Sequence, residues 1–150
     1  MEKILFDTNI LIQLVWGKNK AEEVRSFIEK LTNPQIFISV VNIAETESLV
    51  VQWNWKKNKV NTLKKILENI ITIDIEQNNQ PILDAYVNID AFSQGKIPAP
   101  SGQALNNSSR NMGKNDLWIA ATAYAMDAIL LTTDSDFDHL HDVFFEVRKF

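Results

Sequence analysis

The chain has 150 residues, 45% of them hydrophobic and 23% charged, which is the balance of a folded globular protein rather than a disordered one. That length suits one domain with a real core, so residues 1–150 are expected to form a single unit. A net charge of −4 argues weakly against a chain that coats nucleic acid, and the absence of cysteine excludes disulfides, thiolate zinc sites and cysteine nucleophiles.

No apolar run approaches the ~18 residues that a bilayer span requires. The opening MEKILFDTN meets an aspartate too early for a signal peptide, so a cytoplasmic chain with no membrane partner is expected. Both histidines, His139 and His141, lie near the C-terminus, away from the other notable residues. Chemistry is therefore expected from carboxylates, hydroxyls, amides and lysines.

In chain order, Ile4-Leu5-Phe6 is a short apolar run stopped by Asp7-Thr8-Asn9, the pattern of a buried strand. A helix follows with Ile10, Leu11, Leu14 and Val15 on one face, and Gly17 ends it. A second helix covers Ala21–Leu31 and breaks at Asn33-Pro34. Ile36-Phe37-Ile38 reads as the next strand, and Ser39 is placed to cap a helix running to about Trp55, with Val41, Ala44, Ser48 and Val51 along one stripe. Lys56–Lys59 reads as a basic turn, Val60–Asn69 as an amphipathic helix and Ile70–Ile73 as a third strand. Pro81 fits the first turn of a helix with Leu83, Ala85, Tyr86 and Ile89 inward. From Phe92 to Asn115 every period breaks, and glycines, prolines, serines and asparagines predict a long functional loop. Leu117–Met126 is an alanine-rich helix, Ile129-Leu130-Leu131 a strand, Asp134-Ser135-Asp136 a turn and Val143–Val147 a last strand. Strands alternate with helices throughout, which predicts a three-layer α/β/α sandwich around a mostly parallel sheet.

Asp7 and Asp134 fall just past the carboxyl ends of predicted strands, the edge at which open α/β sheets bind ligands. Asp116 stands in the first turn of its helix and Glu45 in the second turn of another. Three of them have an ordinary alternative: Asp7 as a helix cap, Asp116 as a partner of the helix dipole, Asp134-Ser135-Asp136 as turn chemistry; Glu45, between apolar neighbours near the buried side of its helix, is harder to dismiss. Their shared position at strand ends makes a joint role the sharper reading. Carboxylates held together need a cation, and an all-oxygen site without cysteine or histidine suits magnesium or manganese. Such an ion activates water and neutralises a leaving oxygen, which is the chemistry of phosphate-ester hydrolysis.

The strand ending in Asp7-Thr8-Asn9, Ser39 with Glu45 six positions on, Asn115-Asp116-Leu117-Trp118-Ile119-Ala120-Ala121-Thr122-Ala123 and Leu131-Thr132-Thr133-Asp134-Ser135-Asp136-Phe137 resemble the PIN domain. More narrowly they are similar to VapC-type toxins of prokaryotic toxin–antitoxin pairs, in the same order along nearly the whole chain. The resemblance implies a Mg2+- or Mn2+-dependent endoribonuclease whose metal is held by Asp7, Glu45, Asp116 and Asp134. It implies Asp136 as an additional acid of the same turn, Thr8 or Thr132 as hydrogen-bonding groups within the pocket, and Asn9 as ordering the first turn. It also implies a small antitoxin that restrains the enzyme by setting a basic side chain among the carboxylates. The segment from Phe92 to Asn115 is longer than that pattern.

A haloacid-dehalogenase-like phosphatase would need a second aspartate two residues after Asp7, where Asn9 stands, and a receiver domain would need paired acids after its first strand. A PIN-like fold serving only as an interaction module would be favoured by loss of one of the four acids, and all four are present. A housekeeping RNA-processing nuclease stays open. Lys18 follows the first helix, and Lys96, Arg110 and Lys114 lie in or beside the long loop, where they are candidates for RNA phosphate contacts. Lys56, Lys57, Lys59, Lys64 and Lys65 read as a solvated face. Trp53 and Trp55 at a helix end are able to stack on bases but better suit packing or an interface, and that helix is the candidate for homodimer or antitoxin contact.

Overall fold

The computed structural model describes residues 1–150. Its elements in order are β1 (Lys3–Phe6), α1 (Thr8–Trp16), α2 (Asn19–Glu29), β2 (Gln35–Ser39), α3 (Val40–Gln52), α4 (Lys57–Leu67), β3 (Ile71–Ile73), α5 (Gln80–Ser93), α6 (Lys114–Met126), β4 (Ile129–Thr132), a 3-10 turn (Ser135–Leu140) and β5 (Val147–Lys149). The five strands form one sheet in the order β3-β2-β1-β4-β5, and every pairing is parallel.

Parallel strands joined through helices must be apolar on both faces, and the sequences of β1, β2 and β4 are largely so. Leu5 of β1, Phe37 of β2 and Leu130 of β4 enter the core shared with α5 and α6. Their neighbours Ile4, Phe6 and Leu131 face the opposite layer, where Ile10 and Leu14 of α1 and Val24 of α2 pack. Ile38 meets Leu11 of α1 and Leu63 of α4 on that same side. The three-layer sandwich follows from this alternation.

The chain builds β1, β2 and β3 in one direction and then returns to place β4 on the other side of β1. Strand order thus reverses between β1 and β4, and the crevice at their carboxyl ends is where a ligand site is expected.

Several boundaries depart from the expectations. The last strand is Val147–Lys149, not Val143–Val147. Asp142 turns the chain with φ +57°, Phe144 and Phe145 both sink into the core, and pairing with β4 begins only at Leu130 opposite Val147. The predicted basic turn Lys56–Lys59 is the start of α4, and α3 stops at Gln52 rather than at Trp55. On α5 the inward residue is Ile82 rather than Leu83. The long irregular segment runs from residue 94 to 113, and it is anchored rather than loose. Ala99 and Met112 are buried in the core, and Arg110 N–H donates to the Ser93 carbonyl at 2.8 Å.

Candidate functional site

Asp7 and Asp134 cap the segments that follow β1 and β4, while Glu45 and Asp116 project from α3 and α6. All four acids line one open cleft of about 610 Å³, with Thr8, Asn9 and Asn115 beside them. The stripe Val41, Ala44 and Ser48, expected to follow the helix period, forms a wall of this cleft, while Val51 stands 79% exposed. The buried side of α3 carries Asn42 and Thr46 instead.

Asp7 is the most enclosed of the four, at 5% exposed. Its Oδ1 accepts from Thr8 N–H at 2.8 Å, and its Oδ2 accepts from Thr132 Oγ1 at 2.7 Å. The ordinary reading of Asp7 as a helix cap is therefore true, and it coexists with a place in the cleft. Thr132 Oγ1 in turn accepts from Asp134 N–H at 3.0 Å, which ties the two strand ends together. Thr8 Oγ1 donates to Glu45 Oε1 at 2.9 Å. Asp136 is exposed, and its N–H donates to Asp134 Oδ1 at 2.9 Å.

Asn42 was not singled out in the sequence, yet it supports this arrangement. It is fully buried, and its amide meets Thr8 Oγ1 at 3.0 Å in either orientation. With its nitrogen toward Thr8, the single Thr8 hydroxyl proton is free for Glu45; with its oxygen there, the two acceptors compete for that proton. The first orientation also lets Asn42 Oδ1 accept from Ser39 N–H at 3.3 Å, closing a capping box with Ser39. The signal that could have found it is an asparagine three residues after a capping serine.

Crowding of charge is visible in the acids themselves. Burial raises the Asp7 carboxyl above its ordinary value; hydrogen bonds from Thr132 and Thr8 pull it back, and the charges of Glu45 and Asp134 push it up. The Asp116 carboxyl is pushed from 3.8 up to about 6, first by burial and then by the charges of Asp7, Asp134, Asp136 and Glu45.

As the side chains lie, no three acidic groups surround a common point as the ligands of an ion do. The donors are all carboxylate, hydroxyl and amide oxygens, which suits a hard divalent cation. The repulsion that raises Asp116 is also what such a cation relieves. The residues fit the ion by chemistry.

Arg110 reaches the turn after β4, with Nη1 donating to the Asp136 carbonyl at 3.4 Å. Lys114 opens α6 two residues before Asp116. Lys18 lies beyond the far end of α1, and Lys96 borders a separate cleft of about 320 Å³ within the 94–113 segment.

The family model described as PIN domain matches residues 4–143. The chain belongs to the PIN domain family. Among solved structures, the PIN fold seen here is similar to VapBC2 from Rickettsia felis bound to a DNA fragment from their promoter, at TM-score 0.72 and 21% identity, covering 97% of this chain and 98% of that one. It is also similar to VapBC-1 from nontypeable Haemophilus influenzae, at TM-score 0.67 and 21% identity over 98% and 97% of the two chains. VapBC-5 from Mycobacterium tuberculosis aligns at TM-score 0.61 and 18% identity over 100% of each. No curated protein gives a significant sequence match. No helix is long and apolar enough to cross a membrane.

Proposed function

We propose that this PIN domain is a magnesium- or manganese-dependent endoribonuclease and the toxin of a toxin–antitoxin pair. The observation that carries the reading is the meeting of Asp7, Glu45, Asp116 and Asp134 in one cleft at the switch point of the sheet. The antitoxin partner is supported by the neighbours, among them VapBC-5, named as a member of a family of toxin-antitoxin systems, and a toxin-antitoxin complex from Klebsiella pneumoniae. RNA as substrate rests on the resemblance to VapC-type toxins.

The four acids would hold the ion, with Asp136 adding negative charge at the rim. When bound, a divalent cation lowers the pKa of a water and neutralises charge that develops on the leaving oxygen. The chain's own residues prepare for this. Thr132 and Thr8 fix both oxygens of Asp7, and Thr8 with Asn42 behind it orients Glu45. Asn9 and Asn115 line the cleft and offer amide donors to phosphate oxygens. The excess of carboxylates also suits inhibition, because one arginine from a partner can pair with two of them.

The test is RNA cleavage by the purified chain in magnesium or manganese and in excess EDTA. Cleavage should stop in EDTA and fall on the order of a hundredfold or more in Asp7→Asn. Full cleavage in EDTA overturns the reading.

A further inference from the structure

Where α1 and α3 end, indole and ammonium groups meet in a pocket of about 470 Å³. Trp16 closes α1 and is 39% exposed; Trp53 follows α3 and is 56% exposed. Trp55 is buried and packs edge-on against Trp16, with ring centroids 5.6 Å apart and planes at 76°, so it holds that ring in place. Lys56 and Lys59 complete the pocket, and Lys59 Nζ stands 4.7 Å from the Trp16 ring centroid. Asn54 takes φ +48°, a left-handed conformation uncommon for a residue other than glycine, to turn the chain between Trp53 and Trp55.

Two features are hard to explain by stability alone. Two large aromatic rings stand open to solvent on one small surface. The start of α4 has no side-chain cap and no acidic residue in its first turn, yet Lys56, Lys57 and Lys59 gather at the positive end of its dipole. That placement works against the helix and in favour of an anion.

Aromatic faces beside flexible cations are the features with which proteins hold single-stranded nucleic acid: bases stack, and lysines meet phosphates. The pocket also adjoins the acidic cleft, because Gln52 lines the cleft and Trp53 is the next residue. From Glu45 to Trp53 along α3 is about 12 Å at the helical rise of ~1.5 Å per residue. At a stacked spacing of ~3.4 Å that separation is about three or four nucleotides. We propose that this pocket is a substrate subsite, in which a base of single-stranded RNA stacks on Trp53 or Trp16 and its phosphate meets Lys56 and Lys59, about three or four nucleotides from the bond to be cut. The proposal rests on the ribonuclease reading of the cleft and assigns the class of RNA it takes, an unpaired strand long enough to reach both.

The experiment is a tryptophan-fluorescence titration in EDTA with oligouridylates of three and eight nucleotides. The eight-nucleotide strand should quench fluorescence and bind more tightly than the three-nucleotide strand, and Trp53→Ala should remove that gain, about tenfold or more. Lys56→Ala with Lys59→Ala should lower the slope of log K against log salt by about 1.4, at ~0.7 for each lysine. Trp53 and Lys56 are exposed and Lys59 is half-buried, and circular dichroism checks that the variants keep the fold. If the variants bind the longer strand as wild type does, while wild type cleaves RNA in magnesium, the subsite is refuted and the nuclease reading stands. Wild type that binds through Trp53 but never cleaves reverses those outcomes. A Trp53→Ala variant that changes oligomeric state with unaltered RNA affinity makes the pocket a protein interface and overturns the proposal.

Discussion

Replacing Asp116 by asparagine should make the metal-free protein more stable while removing its activity. The Asp116 carboxyl is raised from 3.8 to about 6, by burial first and by its acidic neighbours next. A raised acid binds its proton more readily in the native state, so stability falls as pH rises through the window from 3.8 to about 6 and the full penalty stands above it. At ~1.4 kcal/mol per pH unit the upper bound is about 3 kcal/mol. Asp116 is only half-buried, and solvent screening reduces this to about 1 kcal/mol. For a chain of this size that raises Tm by about 2–4 °C. The assay is thermal unfolding of wild type and Asp116→Asn in EDTA at pH 7.5 and at pH 3.5. The variant should melt higher at pH 7.5, and the difference should vanish at pH 3.5. An unchanged or lower Tm for the variant at pH 7.5 would refute charge crowding in the cleft.

Thr132→Val keeps the shape of a fully buried side chain but takes a donor from Asp7 Oδ2 and an acceptor from Asp134 N–H. Urea unfolding should show a loss of about 2 kcal/mol, with RNA cleavage reduced as well. His139 is buried against Ser93 Oγ at 2.7 Å, and burial, with the charge of Arg110, lowers its pKa from 6.5 to about 4. Below pH 6.5 the unfolded chain takes a proton that the native state refuses, so His139 costs up to about 3 kcal/mol of stability between pH 6.5 and 4 and nothing above it. His139→Asn should flatten that part of the stability profile in denaturant titrations, and an unchanged profile would contradict the assignment. Expression of the chain alone in a bacterial host should arrest growth while Asp116→Ala does not; equal growth at matched soluble levels points to a housekeeping nuclease.

The strands that build the centre of the sheet were legible because each is a short apolar run ending at a polar residue, as Ile4-Leu5-Phe6 ends at Asp7. Asp7 and Asp134 were legible for the same reason, since a polar residue just past a buried strand has few other places to go, whereas Glu45 and Asp116 were read from their places in helix turns. The edge was not. Val147–Lys149 carries two charged residues because an outer strand faces solvent, whereas Phe144 and Phe145 look like strand and pack as a turn. The start of α4 was hidden because lysines oppose the dipole that a helix N-terminus presents. Asn42 was invisible because its partner Thr8 lies 34 residues away in sequence and meets it only when β1 and β2 pair. The 94–113 segment reads as mobile from its glycines and prolines, while three apolar residues, Ala99, Leu105 and Met112, tie it to the core.

The central claim is that the acids of the cleft act together on one divalent cation that drives RNA cleavage. Calorimetric titration of manganese into the purified chain, with RNA cleavage followed in the same samples, tests this most directly. Wild type should bind manganese and gain activity in step with occupancy, while Asp7→Asn and Asp116→Asn should lose both. Manganese binding that is equal in wild type and both variants, or cleavage that proceeds without occupancy, would contradict the account.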